Sequence, residues 1–391
     1  MRRRAALAAA AGAVGAAAAA GPLLDRYAAR VEARMNPVTA GPWPAPSLRA
    51  LALHATLQIA DLHADSLLFG RDLLRRSAVG HVDVPRMQAG NLALEVFSMP
   101  TKTPRHMNYE HNTDETDDVI TLALAKRWPR ATWRSLTARA LHFAAQAERF
   151  AARSDGALRI IRTRGDLAAF LAERAERPSL TAAVLSIEGA HALDDDPANV
   201  DVVFDAGVRM ISPTHFFDTA FGGSAHGMEQ GGLTAKGREM IGRMEARGLV
   251  LDLAHASAAT IDDALSMATR PVVASHTGVT GVCDNSRNLS DEHLAGIAAT
   301  GGVVGIGFWD VATGGREPEW IARSIAYAVE RIGPEHVGLG SDWDGAVEVP
   351  FDAAHLAILT DQLLRAGLDE ASIRLVMGEN VLRVLAEVLP A

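Results

Sequence analysis

The feature that most constrains the fold is a recurrence of short apolar segments rich in β-forming residues, with helical periodicity between them. Eight such segments occur, at 57–63 (LQIADLH), 91–99 (NLALEVFSM), 181–189 (TAAVLSIEG), 207–215 (GVRMISPTH), 248–255 (GLVLDLAH), 271–276 (PVVASH), 302–308 (GVVGIGF) and 336–342 (HVGLGSD). Strands that alternate with helical crossovers form parallel sheets. Eight of them predict an α/β fold, a closed (β/α)8 barrel of the TIM type.

Two stretches set the predicted domain organisation. The longest connection, residues 100–180, has helical periodicity around ARALHFAAQAERFAAR and is interpreted as an elaborated helical crossover of the same barrel. The Pro/Gly-rich stretch NPVTAGPWPAPS (36–47) separates the barrel from what precedes it. We therefore predict a linker over residues 25–47 and a single catalytic domain over 48–391.

The first 24 residues are typical of an export signal. A basic start, MRRR, precedes an uncharged Ala/Gly-rich run and then small residues that suit signal cleavage. The run is also long enough for an N-terminal membrane anchor, and both interpretations stay open beside that of a cytosolic Ala-rich helix. Export predicts a protein that is periplasmic, or anchored in the membrane and facing outside the cytoplasm.

Charge and cysteine content exclude two classes of site. A net charge of −9 argues against non-specific binding to nucleic acid. Cys283 is the only cysteine of the sequence, which excludes an intrachain disulfide and a thiolate metal cluster. Any metal site must therefore use histidine and carboxylate ligands.

Potential ligands stand at or just past the ends of six predicted strands. They are His63, Asp65, Glu188, His215, His255, His276 and Asp342. Singly, each histidine could be a hydrogen-bonded core residue, each aspartate a helix cap and Glu188 the partner of a buried arginine. In a barrel, however, strand carboxyl ends form the rim where active sites lie. Three His, one Asp and one Glu suffice for two divalent ions, for which zinc is the favoured metal.

The chain also carries eight motifs in one order over about residues 57–388: LHAD, SIEGAHAL, PTHF, DLAHAS, VVASHTG, SRNLSD, GSDWDG and GENVLRVL. In these it resembles the renal (membrane) dipeptidase family, zinc metallopeptidases with an amidohydrolase-like barrel. The resemblance implies two Zn²⁺ per chain. His63 and Asp65 would bind one ion, His255 and His276 the other, and Glu188 would bridge both.

The same resemblance implies roles in catalysis and substrate binding. His215 would contact the substrate carbonyl and its developing oxyanion, and Asp342 would move the proton from the nucleophilic water to the leaving amine. Arg287 would pair with the terminal carboxylate of the substrate, a bidentate task suited to guanidinium. Asn288, beside it in SRNLSD, is a further candidate for substrate binding. Glu95, a carboxylate within a predicted strand, is left outside the site.

The predicted activity is hydrolysis of short peptides, chiefly dipeptides, by a hydroxide held between the two metals. The family's tolerance of a D-residue at the carboxyl side is expected to extend to this chain. The segment after His215, FFDTAFGGSAHG, departs from the mammalian pattern, so side-chain preference does not transfer. The alternatives are another amide or ester hydrolase on the same barrel, such as an N-acyl amino acid deacylase or a lactonase, and an inactive exported binding protein. The sequence leaves open whether the chain forms a homodimer.

Overall fold

A parallel β-sheet forms the centre of the computed structural model, which describes residues 28–39, 41 and 43–391. The strands are β1 (Ile59–Ala64), β2 (Leu92–Phe97), β3 (Leu158–Ile160), β4 (Thr181–Ile187), β5 (Val208–Ile211), β6 (Val250–Leu251), β7 (Val273–Thr277), β8 (Val303–Ile306) and β9 (Val337–Leu339). Neighbouring strands follow the order β6, β5, β4, β2, β1, β9, β8, β7, and all the ladders are parallel.

A single bridge closes this row of eight strands into a ring. Asp252, directly after β6, pairs in parallel with Val273 at the start of β7. The Leu253 amide also donates to the Val273 carbonyl at 2.7 Å. Each of the eight predicted segments contains one strand of the ring, and the predicted (β/α)8 fold class is confirmed. The short strand β3, which pairs with β4 outside the ring, was not predicted.

Helices connect the strands and cover the outside of the ring. They are α1 (Leu48–His54), α2 (Val84–Ala89), α3 (Val119–Ala125), α4 (Leu136–Arg153), α5 (Arg164–Glu176), α6 (Asn199–Asp205), α7 (Ala235–Arg247), α8 (Ala258–Met267), α9 (Asp291–Ala299), α10 (Asp310–Thr313), α11 (Pro318–Ile332), α12 (Ala357–Arg365), α13 (Glu370–Arg374) and α14 (Asn380–Val388). Hydroxyl caps fix several starts, since Ser135, Thr163 and Ser257 each accept a backbone N–H of the first turn.

The long crossover over residues 100–180 has the helical character that its periodicity predicts. The helix α4 spans the periodic stretch and buries Phe143, Ala147 and Phe150 on one face. The same connection contains α3, α5 and the short strand β3. The connection is therefore an extended crossover of the same barrel.

Part of the predicted linker packs onto the barrel. Residues 28–35 are helical, and Val38 forms a parallel bridge with Val349 after β9. The predicted signal or anchor over residues 1–24 lies outside the described residues and stays a prediction. Across residues 28–39, 41 and 43–391, no helix combines the length and the apolar character needed to cross a membrane.

Candidate metal centre and active site

The predicted ligands converge at one end of the ring. His63 is the last residue but one of β1, Glu188 follows β4, His255 follows β6 and His276 lies near the end of β7. All four side chains are buried. In parallel strands these ends share one rim, and side chains distant in sequence therefore meet there.

One carboxylate oxygen lies at the centre of the cluster. The distances from Glu188 Oε1 to the Nε2 atoms are 3.5 Å for His63, 3.4 Å for His215, 3.2 Å for His255 and 3.3 Å for His276. Four imidazole nitrogens thus surround a single oxygen. Glu188 is placed to contact ions on either side, as expected of a bridging ligand.

Two aspartates complete the cluster on the side of His63. Its Nε2 atom lies 3.6 Å from Asp65 Oδ1 and 3.9 Å from Asp342 Oδ1. On the other side, the Nε2 atoms of His255 and His276 are 3.0 Å apart, close enough to face one ion. His215 forms a further compact group with Glu188 and His255, so the geometry leaves it either as a substrate contact or as an additional ligand.

The residues fit divalent metal ions. His63 Nε2, Asp65 Oδ1 and Glu188 Oε2 are buried without a hydrogen-bond partner among the described residues. Buried polar atoms without partners are costly, and a cation satisfies all three at once. The nitrogen and oxygen donors suit zinc, which binds imidazole and carboxylate together.

The protonation tendencies agree with a site for positive charge. Burial lowers the pKa of His255 and of His276 well below the ordinary value, which keeps both imidazoles in the neutral form that binds metal. Burial also lowers the pKa of His63, but Glu188 and Asp65 outweigh it and raise that pKa to about 10. The carboxylates thus attract a cation, whether a proton or a metal ion.

A hydrogen-bonded chain beneath the cluster orients His276. Its Nδ1 atom lies 2.8 Å from Ser275 Oγ, and that hydroxyl donates to Asp252 Oδ2 at 2.7 Å. With its proton committed to Asp252, Ser275 accepts from Nδ1–H, which leaves the Nε2 lone pair facing Glu188. The sequence analysis did not single out Ser275 or Asp252, although an aspartate inside the apolar run LVLDLAH is the signal that could have found it.

Backbone geometry positions two site residues in the left-handed region. The φ angle is 62° at His255 and 59° at Asp342. Residues other than glycine rarely adopt this backbone conformation, and the exceptions cluster at functional sites. Beyond Asp342, a Cβ atom at Gly345 would lie 1.9 Å from Asp342 Oδ1, so any other residue there would displace that carboxylate.

A cavity of about 80 Å³ opens beside the cluster. The predicted site residues in its lining are Asp65, Glu188, His215, His255, Arg287 and Asp342. Arg287 is buried, lies over the ring of Trp309 at 5.6 Å and donates through Nη2 to the His276 carbonyl at 2.5 Å. Its Nε has no partner among the described residues, which leaves a donor for a substrate anion.

Asn288 is the predicted site residue that the structure places elsewhere. Its amide nitrogen donates to the carbonyls of Cys283 at 2.7 Å and of Ala312 at 3.0 Å, and the residue is absent from the lining of the cavity. Asn288 therefore joins two loops behind Arg287. The prediction that it binds substrate is not supported by this position.

Sequence reasoning missed several cavity residues because no local pattern marks them. They are Met35, Leu68, Thr103, Met107, Tyr109, Phe216 and Trp309. Tyr109 is held by buried His226, whose Nδ1 donates to the Tyr109 carbonyl at 2.9 Å. Glu95 lines the barrel beside Asp61, its partner across β1 and β2, and lies outside the cluster. A larger cleft, of about 970 Å³ between α11 and α12, contains none of the predicted site residues.

Comparison with known protein families gives one match over most of the chain. The sequence model described as membrane dipeptidase, peptidase family M19, matches residues 48–390. The dipeptidase verJ of Clonostachys rogersoniana is 33% identical over 219 residues, an alignment that covers 54% of this chain and 56% of that protein. This chain thus spans just over half the length of that relative.

Two solved structures share the fold. A crystal structure of dipeptidase AC, a metallopeptidase of family M19, has a TM-score of 0.71 and 25% identity and covers 86% of this chain and 100% of its own. A metallopeptidase from Rhodobacter sphaeroides, liganded with a phosphinate mimic of the dipeptide L-Ala-D-Ala, has a TM-score of 0.71 and 24% identity. Its alignment covers 85% of this chain and 99% of that chain.

Proposed function

This chain belongs to the membrane dipeptidase family, peptidase family M19, and on that premise we propose that it is a zinc-dependent dipeptidase with two ions per chain. The observation that carries the proposal is the arrangement around Glu188, with four imidazole Nε2 atoms within 3.5 Å of one carboxylate oxygen. A hydrolase that binds metal is the function this arrangement supports best.

The donor set divides into two halves that share Glu188. His63 and Asp65 would hold one ion, and His255 and His276 the other. When bound, such ions supply an activated water and a Lewis acid for the substrate carbonyl. The hydrogen bonds from His276 through Ser275 to Asp252 fix the imidazole that would hold the second ion.

Two further side chains, those of His215 and Asp342, would act on the peptide bond. Burial lowers the pKa of His215 well below its ordinary value, so a neutral imidazole with its proton on Nε2 can donate to the oxyanion. Burial raises the pKa of Asp342 to about 8. Asp342 lines the cavity beside His63, so its carboxylate would be placed to accept a proton from the water and return it to the leaving amine.

The cavity favours small substrates that carry a carboxylate. Its volume is about 80 Å³, and the unpaired Nε of Arg287 offers a donor for a carboxylate at the wall. The Rhodobacter sphaeroides metallopeptidase, which shares the fold, binds a phosphinate mimic of L-Ala-D-Ala. We therefore propose dipeptides as the substrates, including those with a D-residue at the carboxyl side.

The decisive experiment combines metal analysis with hydrolysis of a dipeptide panel. Purified protein should contain two zinc ions per chain and should cleave L,L and L,D dipeptides, and a chelator should abolish both. Arg287→Ala should raise the KM for dipeptides, because removing one partner of a buried charge pair costs about 2–5 kcal/mol of binding free energy. Fewer than two metals together with no cleavage would refute the proposal, and cleavage of N-acyl amino acids or lactones alone would replace it.

We also propose that the protein is exported through residues 1–24 and acts outside the cytoplasm, either cleaved and periplasmic or anchored in the membrane. The basic start and the Ala/Gly-rich run support this. Fractionation of cells that express the full chain, with N-terminal sequencing of the product, would test it. Recovery of the intact chain from the cytoplasm would contradict it.

A further inference from the structure

Residues 28–39, named here the strap, lie upstream of the family match at residues 48–390 but contact the active-site end of the barrel. Glu32 and Arg71 form a buried ion pair. Asn36, also buried, accepts the Ala346 amide through Oδ1 at 2.8 Å. The Thr39 amide donates to the Val349 carbonyl at 2.8 Å.

These contacts fix the strap to the loop that follows β9. Ala346 and Val349 belong to the same loop as Asp342, and Arg71 also pairs with Asp344 in that loop. Backbone pairing, a buried amide and a buried ion pair together order the strap more firmly than a surface linker. Its side chains therefore have defined positions against the barrel.

Met35 is the strap residue that reaches the catalytic cavity. It lines the cavity of about 80 Å³ together with Glu188, His215 and Asp342. It also lines a neighbouring cavity of about 200 Å³, which is mostly apolar. The residues that bound both spaces are Met35, Leu68 and Thr103. Met35, which is 36% exposed, thus lies where the small catalytic cavity and the larger apolar one adjoin.

We propose that Met35 is a residue that determines specificity, because it closes the apolar cavity to the substrate. The inference rests on the proposed dipeptidase function and names the substrates that this site selects. With Met35 in place, side chains the size of alanine fit the catalytic cavity. A large apolar side chain, such as that of leucine or phenylalanine, needs the space behind Met35.

Truncation of Met35 tests this directly. In zinc-loaded Met35→Ala, the two cavities should join, because the long thioether side chain is replaced by a methyl group. We expect the ratio of kcat/KM for Leu- or Phe-containing dipeptides to that for Ala-Ala to rise at least about tenfold, the discrimination that a hydrophobic pocket achieves. Met35→Trp should lower the ratio. The matched control is Met228→Ala, at a methionine that is 59% exposed and absent from both linings.

A binding measurement separates selectivity from general damage. Calorimetric titration with phosphinate dipeptide mimics bearing small or large side chains should show the same change in preference, without dependence on turnover. Thermal unfolding of each variant reports whether it folds. If Met35→Ala does not fold, Met35→Trp still tests the proposal, because it should lower the ratio of kcat/KM values.

The outcomes distinguish this inference from the proposed function. If the wild type cleaves dipeptides and the ratio is the same in the wild type, Met35→Ala and Met35→Trp, the role of Met35 is refuted while the dipeptidase function stands. If the wild type neither cleaves dipeptides nor binds the mimics, the proposed function fails and the inference falls with it. A ratio that changes equally in Met228→Ala would also overturn it.

Discussion

Asp342 and Asp344 lie two residues apart in the turn after β9, and both are buried with left-handed φ angles of 59° and 62°. Their pKa values are nevertheless shifted in opposite directions from the ordinary value of an aspartate. Burial raises the pKa of Asp342 to about 8, with Asp65 adding to the effect. Burial would also raise the pKa of Asp344, but Arg71, His81 and the hydrogen bonds from Ser66 and the His81 amide together outweigh it and hold that pKa below its ordinary value.

The difference arises from the neighbours on each side of the turn. Asp342 faces the cavity, where the charged groups around it include the carboxylate of Asp65. Asp344 faces the strap side, where Ser66 Oγ donates to it at 2.5 Å and the His81 amide at 2.6 Å, and where Arg71 pairs with it. One aspartate is therefore suited to exchange protons, and the other to hold the loop as a permanent anion.

The largest expected effect is on turnover, at Asp342. Asp342→Asn keeps the shape but cannot take a proton, so kcat for a dipeptide should fall by about 10²–10⁴-fold, the usual contribution of general acid–base catalysis. Steady-state kinetics measure this, and zinc content and thermal unfolding serve as controls. Unchanged kcat in a variant with normal zinc content would remove Asp342 from the proton transfer.

The next effect is on stability, at Asp344. Asp344→Ala leaves Arg71 buried with one fewer counterion, and breaking a buried pair in this way costs about 3–5 kcal/mol of unfolding free energy. Urea denaturation measures it. Asp262→Ala is the matched control, because that aspartate is 71% exposed and its pair with His293 contributes little. Equal stability of the two variants would show that Asp344 does not anchor the loop.

Gly345 tests how closely the two sides of the turn are coupled. Gly345→Ala places a Cβ atom 1.9 Å from Asp342 Oδ1 and must displace that carboxylate. We expect about a tenfold or greater loss of kcat with a smaller change in KM, since a displacement of about 1 Å is costly in catalysis. Gly242→Ala is the control, because nothing lies within 4 Å of its added Cβ. A normal kcat for Gly345→Ala would contradict the close fit.

The smallest expected effect is a pH dependence at the strap. Burial raises the pKa of Glu32 from 4.5 to about 7, although Arg71 opposes this. The folded state then binds more protons than the unfolded state, so the contribution of Glu32 to stability is full below about pH 4.5 and is lost as the pH rises through about 7. Glu32→Gln mimics the protonated form. Wild type should lose stability relative to it as the pH rises through about 7.

Urea denaturation of wild type and Glu32→Gln at several pH values isolates the contribution of Glu32, because the titrations of other groups cancel in the difference between the two free energies of unfolding. A difference that does not vary with pH would show that Glu32 titrates in the folded state as it does in the unfolded state.

Much of the candidate site was readable from local sequence. His63, Asp65, Glu188, His255 and His276 were identifiable because each stands at or just past the end of a predicted strand, and parallel strands end at a common rim. Asn288 was predicted from its nearness to Arg287, but its amide nitrogen donates to the Cys283 and Ala312 carbonyls and it lies outside the cavity lining, because adjacent residues in a loop point in different directions. Ser275 lies behind His276, and no spacing rule identifies such a residue.

The sequence by itself determined the parallel barrel, the family and the donor atoms at the strand ends, because apolar periodicity and side-chain chemistry are local properties of the chain. Only the tertiary structure decided that Met35 borders the cavity, that Asp252 supports His276 through Ser275, and that two aspartates of one turn differ in proton affinity. Each of these depends on distances between side chains from separate segments and on their burial, and both are set when the whole chain packs.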